Sequence, residues 1–324
     1  MDIVITAGDC NGVGLEVLCK ALANNTFPGV NLTLCCNVRT LAEYIRAMNL
    51  PVEITDATVS IGRTTCAILP CPTFAPVQFG KMMREAGALA LEQLETAIAG
   101  LRVGRFDALV TMPIAKKSLD YAGWKFPGQT ELLAERCGGT PLMMLMSGSL
   151  RVALATIHAP LEAVPKLITR ESVSEKIQSL HSALTTDFLI RRPRIAVLGL
   201  NPHAGESGSI GTEEITEIAP AVEDCRGAGI AVEGPFPADG FFAFGDYVRF
   251  DGIMAMYHDQ GLIPLKLLAK GGGVNVTSGL QVVRTSPDHG TAFGIAGRGI
   301  ADPTSAAESI QTAVGIVSAR NSQA

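Results

Sequence analysis

The chain has 324 residues, of which 47% are hydrophobic and 18% are charged. This length is enough for one large or two ordinary domains, and the apolar fraction excludes a disordered chain. The net charge of −5, from 26 basic and 31 acidic residues, disfavours binding to nucleic acid or to an anionic membrane surface, because both repel a negatively charged protein.

Targeting and membrane segments are not apparent in the sequence. Residues 1–7 form a short apolar run without a basic leader or a cleavage site, and the apolar stretch 141–157 is interrupted by Gly148 and Arg151. The eight cysteines form no CxxC pair, which is typical of reduced thiols that serve as small core residues. We therefore expect a cytoplasmic protein.

Short apolar runs alternate with helical patterns along the chain. In order, the pattern predicts strand 2–6, helix 14–24, strand 31–36, helices 40–48 and 82–101, strands 107–112, 142–146 and 151–156, helix 171–182, strand 194–200, helix 212–222, strands 252–257, 273–277 and 281–284, and helix 305–318. Such alternation predicts an α/β fold with a largely parallel sheet covered by helices on both faces. A break near 122–127 and a return near 287–290 predict a discontinuous first domain, 1–125 with 290–324, and a second domain, 126–289.

Three of the five histidines, His158, His203 and His258, lie just past the ends of predicted strands. The carboxyl ends of parallel strands share one edge of a sheet, where α/β proteins build their sites. Three imidazoles at that edge suit a catalytic divalent cation, with zinc as the first candidate and Asp259 placed to orient a ligand. The alternative is that each is a separate, hydrogen-bonded loop histidine.

Other polar residues suit a phosphorylated ligand and a cofactor. Lys266, Asn275 and Arg284 offer the cationic and amide donors that a phosphorylated small molecule requires. Thr130 opens a helical stretch, where it either caps the helix or contacts a ligand. The glycine-rich loop 8–14 precedes a predicted helix and suits an anion, although a tight turn without a ligand explains it equally well. The small residues after His289 would let the backbone lie flat against an adenine or a ribose.

Several long motifs make the chain resemble the 4-hydroxythreonine-4-phosphate dehydrogenase family of pyridoxal phosphate biosynthesis almost from end to end. These motifs are RVALATIH at 151–158, GLNPHAGE at 199–206, GTEE at 211–214, PAD at 237–239, MYHDQG at 256–261, GVNVT at 273–277 and RTSPDHGTA at 284–292. The region 289–303 is also similar to the adenine-binding loop of isopropylmalate dehydrogenases. The resemblance implies two α/β/α domains with mostly parallel sheets, like isopropylmalate and isocitrate dehydrogenases, with the active site in the cleft between the domains.

The resemblance also implies a homodimer whose shared active site acts on a phosphorylated small molecule, with NAD or NADP as cofactor. A divalent metal, most simply Zn with Mg, Mn or Co as alternatives, would be bound by His158, His203 and His258 from the second domain, with ligands shared between subunits. The other implied site residues are Gln129, Thr130, Lys266, Asn275 and Arg284 for the substrate and His289, Gly290, Thr291 and Ala292 for the cofactor. Asp239 would lie near the metal, and Asp239 and Lys266 are both candidates for the general base.

The implied reaction oxidises 4-phosphohydroxy-L-threonine to 2-amino-3-oxo-4-phosphooxybutanoate, which decarboxylates to 3-amino-2-oxopropyl phosphate. One departure bears on the substrate: the family's GHTE motif has histidine where this chain has Gln129, and glutamine cannot carry a proton as imidazole does. A related dehydrogenase of threonate or erythronate 4-phosphate is therefore an alternative. A three-histidine zinc hydrolase is a further one, which the cofactor-like region 289–303 disfavours.

Overall fold

The computed structural model describes residues 1–269 and 271–323. Contacts within the chain define two compact units. Unit 1 comprises residues 1–139, 271–275 and 280–317, and unit 2 comprises the described residues of 140–270, 276–279 and 318–324. The predicted domain ranges, 1–125 with 290–324 and 126–289, stay a prediction, because contact groups do not test which segments fold together.

The elements up to residue 137 include each strand and helix that the sequence predicts there, together with three further strands between residues 52 and 70. They are β1 (Asp2–Thr6), α1 (Gly14–Asn24), β2 (Asn31–Cys36), α2 (Val38–Met48), β3 (Val52–Ile54), β4 (Thr58–Ile61), β5 (Thr64–Pro70), α3 (Arg84–Arg102), β6 (Ala108–Thr111), α4 (Lys116–Tyr121) and α5 (Gln129–Cys137). The bounds of β1, α1 and β2 are those that the sequence predicts.

The remaining elements begin with a hairpin and end with a long helix. They are β7 (Gly139–Ser147), β8 (Leu150–Leu154), α6 (Val164–Leu167), α7 (Arg170–Thr186), β9 (Ile195–Leu198), α8 (Ala219–Gly227), β10 (Val232–Phe236), α9 (Ala238–Ala243), β11 (Gly252–Ala255), α10 (His258–Ala269), β12 (Val274–Leu280), β13 (Val283–Pro287) and α11 (Thr304–Asn321). No helix among the described residues is long and apolar enough to cross a membrane.

In unit 1 the strands lie in the order β13-β6-β1-β2-β5-β4-β3. The pairs from β13 to β5 are parallel, whereas β3, β4 and β5 pair in antiparallel fashion. Side chains of α3 such as Leu89, Leu94 and Ile98 pack with Val4 and Leu109 of the strands, and all five are buried. Each such aliphatic side chain contributes about 1.5–3 kcal/mol by leaving water.

In unit 2 the strands lie in the order β10-β9-β11-β8-β7. The pairs β10-β9, β9-β11 and β11-β8 are parallel, whereas β7 forms an antiparallel hairpin with β8. The core joins Leu154 and Ile253 of the strands to Leu262 and Leu265 of α10. Burial of this face of α10 fixes the position of its first residue, His258.

Candidate active site

The three histidines follow three neighbouring parallel strands of unit 2. Strand β11 pairs with β8 on one side and with β9 on the other. His158 lies four residues after β8, His203 lies five residues after β9, and His258 begins the helix that follows β11. The predicted strand arrangement is therefore confirmed, and it brings the carboxyl ends of these strands to one edge of the sheet.

Two of the three histidine rings lie close together. The ring centroids of His158 and His258 are 5.7 Å apart, and hydrogen bonds from Ala155 and Thr156 to the backbone of residues 255 and 256 hold the two strand ends side by side. The Nδ1 atom of His258 is 2.7 Å from Asp259 Oδ1. A carboxylate on one ring nitrogen fixes the imidazole and leaves the other nitrogen for a ligand. Asp259 thus has the orienting position that the sequence predicts.

His203 does not complete this group within one chain. Among residues 1–269 and 271–323, no three His, Cys, Asp or Glu side chains are grouped so that they could hold a metal ion. The three-histidine metal site therefore stays a prediction. The pair His158 and His258 fits a divalent cation in donor type and separation, and a third ligand from a second subunit would agree with the sharing that the resemblance implies.

The loop that carries His203 has an unusual backbone. Residues 203–207 all have positive φ values, from 43° to 79°, a conformation that costs free energy in non-glycine residues. The buried carboxylate of Glu214 holds the start of this loop, since its Oε1 accepts hydrogen bonds of 2.7 Å from the backbone N–H groups of Leu200 and Asn201. Its Oε2 accepts a third from the Asn201 side chain at 2.8 Å. Glu214 is the last residue of the GTEE motif, but nothing in its local sequence reveals these bonds.

Gln260 is a second residue whose position the sequence did not reveal. Its Oε1 accepts from Met256 N at 2.7 Å, and its Nε2 donates to Gly199 O at 2.6 Å. The side chain therefore links the end of β11 to the end of β9. This link fixes the turn from which His258 projects.

The predicted catalytic residue Asp239 lines a pocket beside the His258 turn. The pocket has a volume of about 280 Å³. Its lining residues are Ala238, Asp239, Phe242, Tyr257, Asp259, Gln260, Ile263 and Pro264. The other candidate base, Lys266, is exposed on α10, the helix that His258 begins.

Two of the predicted substrate residues are bonded to each other in unit 1. The buried guanidinium of Arg284 donates to Thr111 Oγ1 from Nε at 3.1 Å and from Nη2 at 2.6 Å, and Nη2 also donates to Gln129 Oε1 at 3.0 Å. Burial lowers the pKa of Arg284 to about 10, so the group stays protonated at neutral pH. A buried cation held by neutral oxygens is well suited to an anionic ligand.

The remaining substrate candidates of unit 1 differ in what holds them. Asn275 lies on β12, and its buried Oδ1 has no hydrogen-bond partner among the described residues. Such an orphaned acceptor is costly unless a ligand pairs with it. Thr130 lies in the first turn of α5. The N-terminal capping position of this helix is Gly128, which has no side chain to form a capping hydrogen bond. The interpretation of Thr130 as the helix cap is therefore wrong, and only its role as a ligand contact stays a prediction.

The predicted cofactor residues form a loop that packs against the glycine-rich loop 8–14 of unit 1. Val13 N donates to Thr291 O at 3.0 Å, and a Cβ on Gly12 would lie only 2.8 Å from that oxygen. His289 Nδ1 lies 3.0 Å from Gly290 O, while its buried Nε2 has no hydrogen-bond partner within the described ranges. The exposed small residues Gly290 and Ala292 leave the backbone accessible, so the loop fits a planar group with polar edges.

Comparison with solved structures identifies the class of the fold. Isocitrate dehydrogenase from Methylococcus capsulatus matches with a TM-score of 0.51 at 14% identity over 99% of this chain and 87% of that protein. The chain thus has the α/β fold of that class, as the sequence predicts. The predicted position of the active site, in the cleft between two domains, stays a prediction.

Sequence comparison then identifies the family. The model of the pyridoxal phosphate biosynthetic protein PdxA matches residues 30–313, and the chain belongs to this family. The protein named 4-hydroxythreonine-4-phosphate dehydrogenase from Bacteroides thetaiotaomicron is 43% identical, and the alignment covers 97% of this chain and 88% of that protein. The protein of the same name from Caulobacter vibrioides is 42% identical over 98% of both chains. The crystal structure of the dehydrogenase of that name from Klebsiella pneumoniae has a TM-score of 0.82 at 37% identity, covering 97% of both chains.

A structural relative with another name shows how far the likeness extends. The terephthalate 1,2-cis-dihydrodiol dehydrogenase of Burkholderia xenovorans is 28% identical, with a TM-score of 0.62 over 97% of this chain and 98% of that protein. Proteins named for different substrates therefore share this architecture.

Proposed function

We propose that the protein oxidises 4-phosphohydroxy-L-threonine with NAD or NADP, giving 2-amino-3-oxo-4-phosphooxybutanoate, which loses carbon dioxide to form 3-amino-2-oxopropyl phosphate. The observation that carries this proposal is the alignment of 97–98% of the chain with dehydrogenases named for this substrate. In the first step the alcohol loses a hydride to the cofactor and a proton to a base. In the second the carbonyl stabilises the electron pair left by the departing carbon dioxide.

The metal ligands in this proposal are His158, His203 and His258. The 5.7 Å separation of His158 and His258, and the carboxylate on His258 Nδ1, support two of them. A divalent cation held by these histidines would supply Lewis acidity towards the hydroxyl group of the substrate. Asp259 keeps the His258 ring in the orientation that presents its Nε2 atom.

The substrate is held by Gln129, Thr130, Lys266, Asn275 and Arg284. Arg284 supplies a buried positive charge for the phosphate, and the unpaired Asn275 Oδ1 accepts a hydrogen bond from a donor of the substrate. Binding energy from the phosphate positions the reacting carbon without acting on it directly. Asp239 in the pocket beside His258 and the exposed Lys266 are both retained as candidates for the base.

The cofactor is held by His289, Gly290, Thr291 and Ala292, and the nicotinamide supplies the hydride acceptor. The unpaired His289 Nε2 offers a polar contact within this loop. We also propose a homodimer, since α10 leaves Ile263 and Leu267 exposed by 58% and 74% on consecutive turns. An apolar pair on the helix that begins with a metal ligand suits the approach of a second subunit.

A second candidate is the oxidation of threonate or erythronate 4-phosphate. Gln129 favours this second candidate. Its Oε1 accepts a hydrogen bond from Arg284, and its amide Nε2, which can only donate, therefore points away from that cation. A donor at this position suits the oxygen of a hydroxy acid better than the ammonium group of an amino acid.

The experiment is to measure NADH or NADPH formation with the three phosphorylated acids as substrates, for the wild type and for Gln129→His. We expect turnover of 4-phosphohydroxy-L-threonine that a chelator abolishes and that Zn, Mg, Mn or Co restores. If Gln129 selects a hydroxy acid, wild type should prefer threonate or erythronate 4-phosphate, and Gln129→His should shift kcat/KM towards the amino acid by about tenfold or more. Absence of cofactor reduction with all three acids, in the presence of each metal, would refute the dehydrogenase proposal.

A further inference from the structure

An ion pair on α1 holds the segment that follows the predicted cofactor residues. Lys20 Nζ donates to Glu16 Oε1 at 2.7 Å and to the backbone oxygens of Gly299 and Ala301, each at 2.9 Å. Ala301 N donates back to Glu16 Oε1 at 2.8 Å. We call the group formed by Glu16, Lys20 and the backbone of residues 299 and 301 the clasp. An ammonium group has three hydrogens to donate, and Lys20 uses all three in the clasp.

The burial of the pair indicates that it does more than stabilise its own helix. The Glu16 side chain is fully buried, and that of Lys20 is 29% exposed. Surface pairs at i, i+4 contribute only about 0.3–0.5 kcal/mol, whereas a buried carboxylate needs its partners to offset the loss of water. Here the partners of the carboxylate are the Lys20 ammonium and the backbone N–H of Ala301, while Lys20 in turn binds the backbone oxygens of Gly299 and Ala301. Residues 299 and 301 belong to an irregular segment rather than to a helix or strand.

Both ends of this segment, 291–301, are attached to α1 or to the residue that precedes it. At the first end, Val13 N donates to Thr291 O, and at the second end Lys20 and Glu16 bind Gly299 and Ala301. Most of the residues between them are exposed or half-buried. Between its ends the segment also packs against Phe79 and Gly80, and the clasp supplies the charged attachment at its second end.

We infer that Glu16 and Lys20 are positioning residues that hold the segment 291–301 in the shape that receives the nicotinamide cofactor. The inference rests on the proposed function, in which residues 289–292 of the same loop contact NAD or NADP. When a binding-competent shape is populated for only a fraction of the time, the apparent affinity falls by that fraction. Loss of the clasp therefore weakens cofactor binding without removing any group that touches the cofactor or the reacting atoms.

The test compares Lys20→Met, which keeps a similar apolar stem but removes the ammonium, with the wild type. We expect the Kd for NAD from calorimetry, and the KM for NAD, to rise about tenfold, while kcat changes by less than about twofold. Without cofactor, hydrogen exchange of the amides at 299–301 should become faster. The matched control is Arg39→Met, which removes an exposed i, i+4 ion pair with Glu43 on α2 of the same unit and should change neither cofactor affinity nor this exchange.

Lys20→Arg keeps the charge but changes the geometry, and its Kd for NAD should lie between those of the wild type and Lys20→Met. If circular dichroism shows that Lys20→Met does not fold, Lys20→Arg takes its place in the test. The inference is overturned if the variants lower the melting temperature while the Kd for NAD and the exchange at 299–301 stay at wild-type values. It is also overturned if kcat falls and KM does not change. If wild type itself binds neither NAD nor NADP, the proposed function fails, which calorimetry on wild type alone distinguishes from failure of the clasp.

Discussion

The contribution of Asp259 to metal affinity can be measured separately from that of His258, the proposed metal ligand that it contacts. Its Oδ1 lies 2.7 Å from His258 Nδ1, and such outer partners of metal-binding histidines are commonly worth 10–100-fold in metal affinity. We expect Asp259→Asn to weaken zinc binding by about 10–100-fold, because a neutral amide orients the ring less strongly. Competition with a chromogenic chelator measures this affinity.

The control for Asp259→Asn is Asp246→Asn in the same unit. Asp246 is also partly exposed, but it pairs with Arg249 at 3.1 Å and lies outside the pocket beside His258. The Asp246→Asn variant should therefore bind zinc with the affinity of the wild type. Equal affinities for wild type and Asp259→Asn would show that Asp259 is an ordinary surface residue.

The sequence predicts some site residues and not others for a physical reason. His158 and His258 are predictable because each follows an apolar run that is recognisable as a strand, and parallel pairing then places their rings 5.7 Å apart. Glu214 accepts from the backbone of Leu200 and Asn201 in the loop after β9, and Gln260 donates to Gly199 O, 61 positions away; no local pattern encodes such partners. The bond between Gln129 and Arg284 spans 155 positions, so spacing alone could not reveal it.

At the level of elements, the packing of α3 on α4 depends on one glycine. A Cβ on Gly87 would overlap the backbone oxygen of the buried Ser118, which cannot move aside as a flexible side chain can. Glycine in a helix normally costs about 0.5–1 kcal/mol relative to alanine, but here the forced separation of two helices costs about 1–3 kcal/mol or more. We expect Gly87→Ala to lower the free energy of unfolding by about 2 kcal/mol, as measured by urea denaturation.

Gly315 on α11 is the matched control for Gly87. It is also helical and exposed, and apart from the backbone of its own helix no described atom lies within 4 Å of a Cβ built on it. Gly315→Ala should therefore stabilise the protein by about 0.5–1 kcal/mol. A stability gain for both alanine variants would mean that α3 and α4 are not in the close contact described above.

Element prediction succeeded where the apolar pattern was simple. β1, α1 and β2 have the predicted bounds, and α2 begins at Val38 rather than at 40 because the Asn37 side chain caps it by accepting from Thr40 N. The antiparallel strands β3, β4 and β5 were not predicted, since the first two are only three and four residues long and several of their side chains are exposed or half-buried. Strands of this kind are stabilised by cross-strand pairing, which a single run of residues does not reveal.

For the whole molecule, the central expectation is that two copies of the chain complete one metal site. Within the described residues, His158 and His258 lie together and no third ligand joins them. The exposed Leu267, on the helix that His258 begins, offers an apolar surface for the second copy. A two-fold symmetric dimer would then supply His203 from the partner to each of two equivalent sites.

This arrangement predicts complementation between two inactive variants. His203→Ala and His258→Ala should each lose activity, because each removes a ligand from every site of its own dimer. In a heterodimer of the two, isolated by two affinity tags after co-expression, one site combines His158 and His258 of one chain with His203 of the other and is intact. The heterodimer should therefore recover about half of the wild-type activity and half of its metal content.

The outcome separates a shared site from a site built within one chain. If all three ligands came from the same chain, each site of the heterodimer would lack one histidine, and the heterodimer would be as inactive as its parents.

Leu267→Asp in both chains tests the dimer itself, since a charge buried in an interface without a partner weakens association by about 100-fold or more. We expect this variant to elute as a 34.0 kDa monomer without recoverable activity, whereas Val103→Asp, at an equally exposed position of unit 1, should remain dimeric.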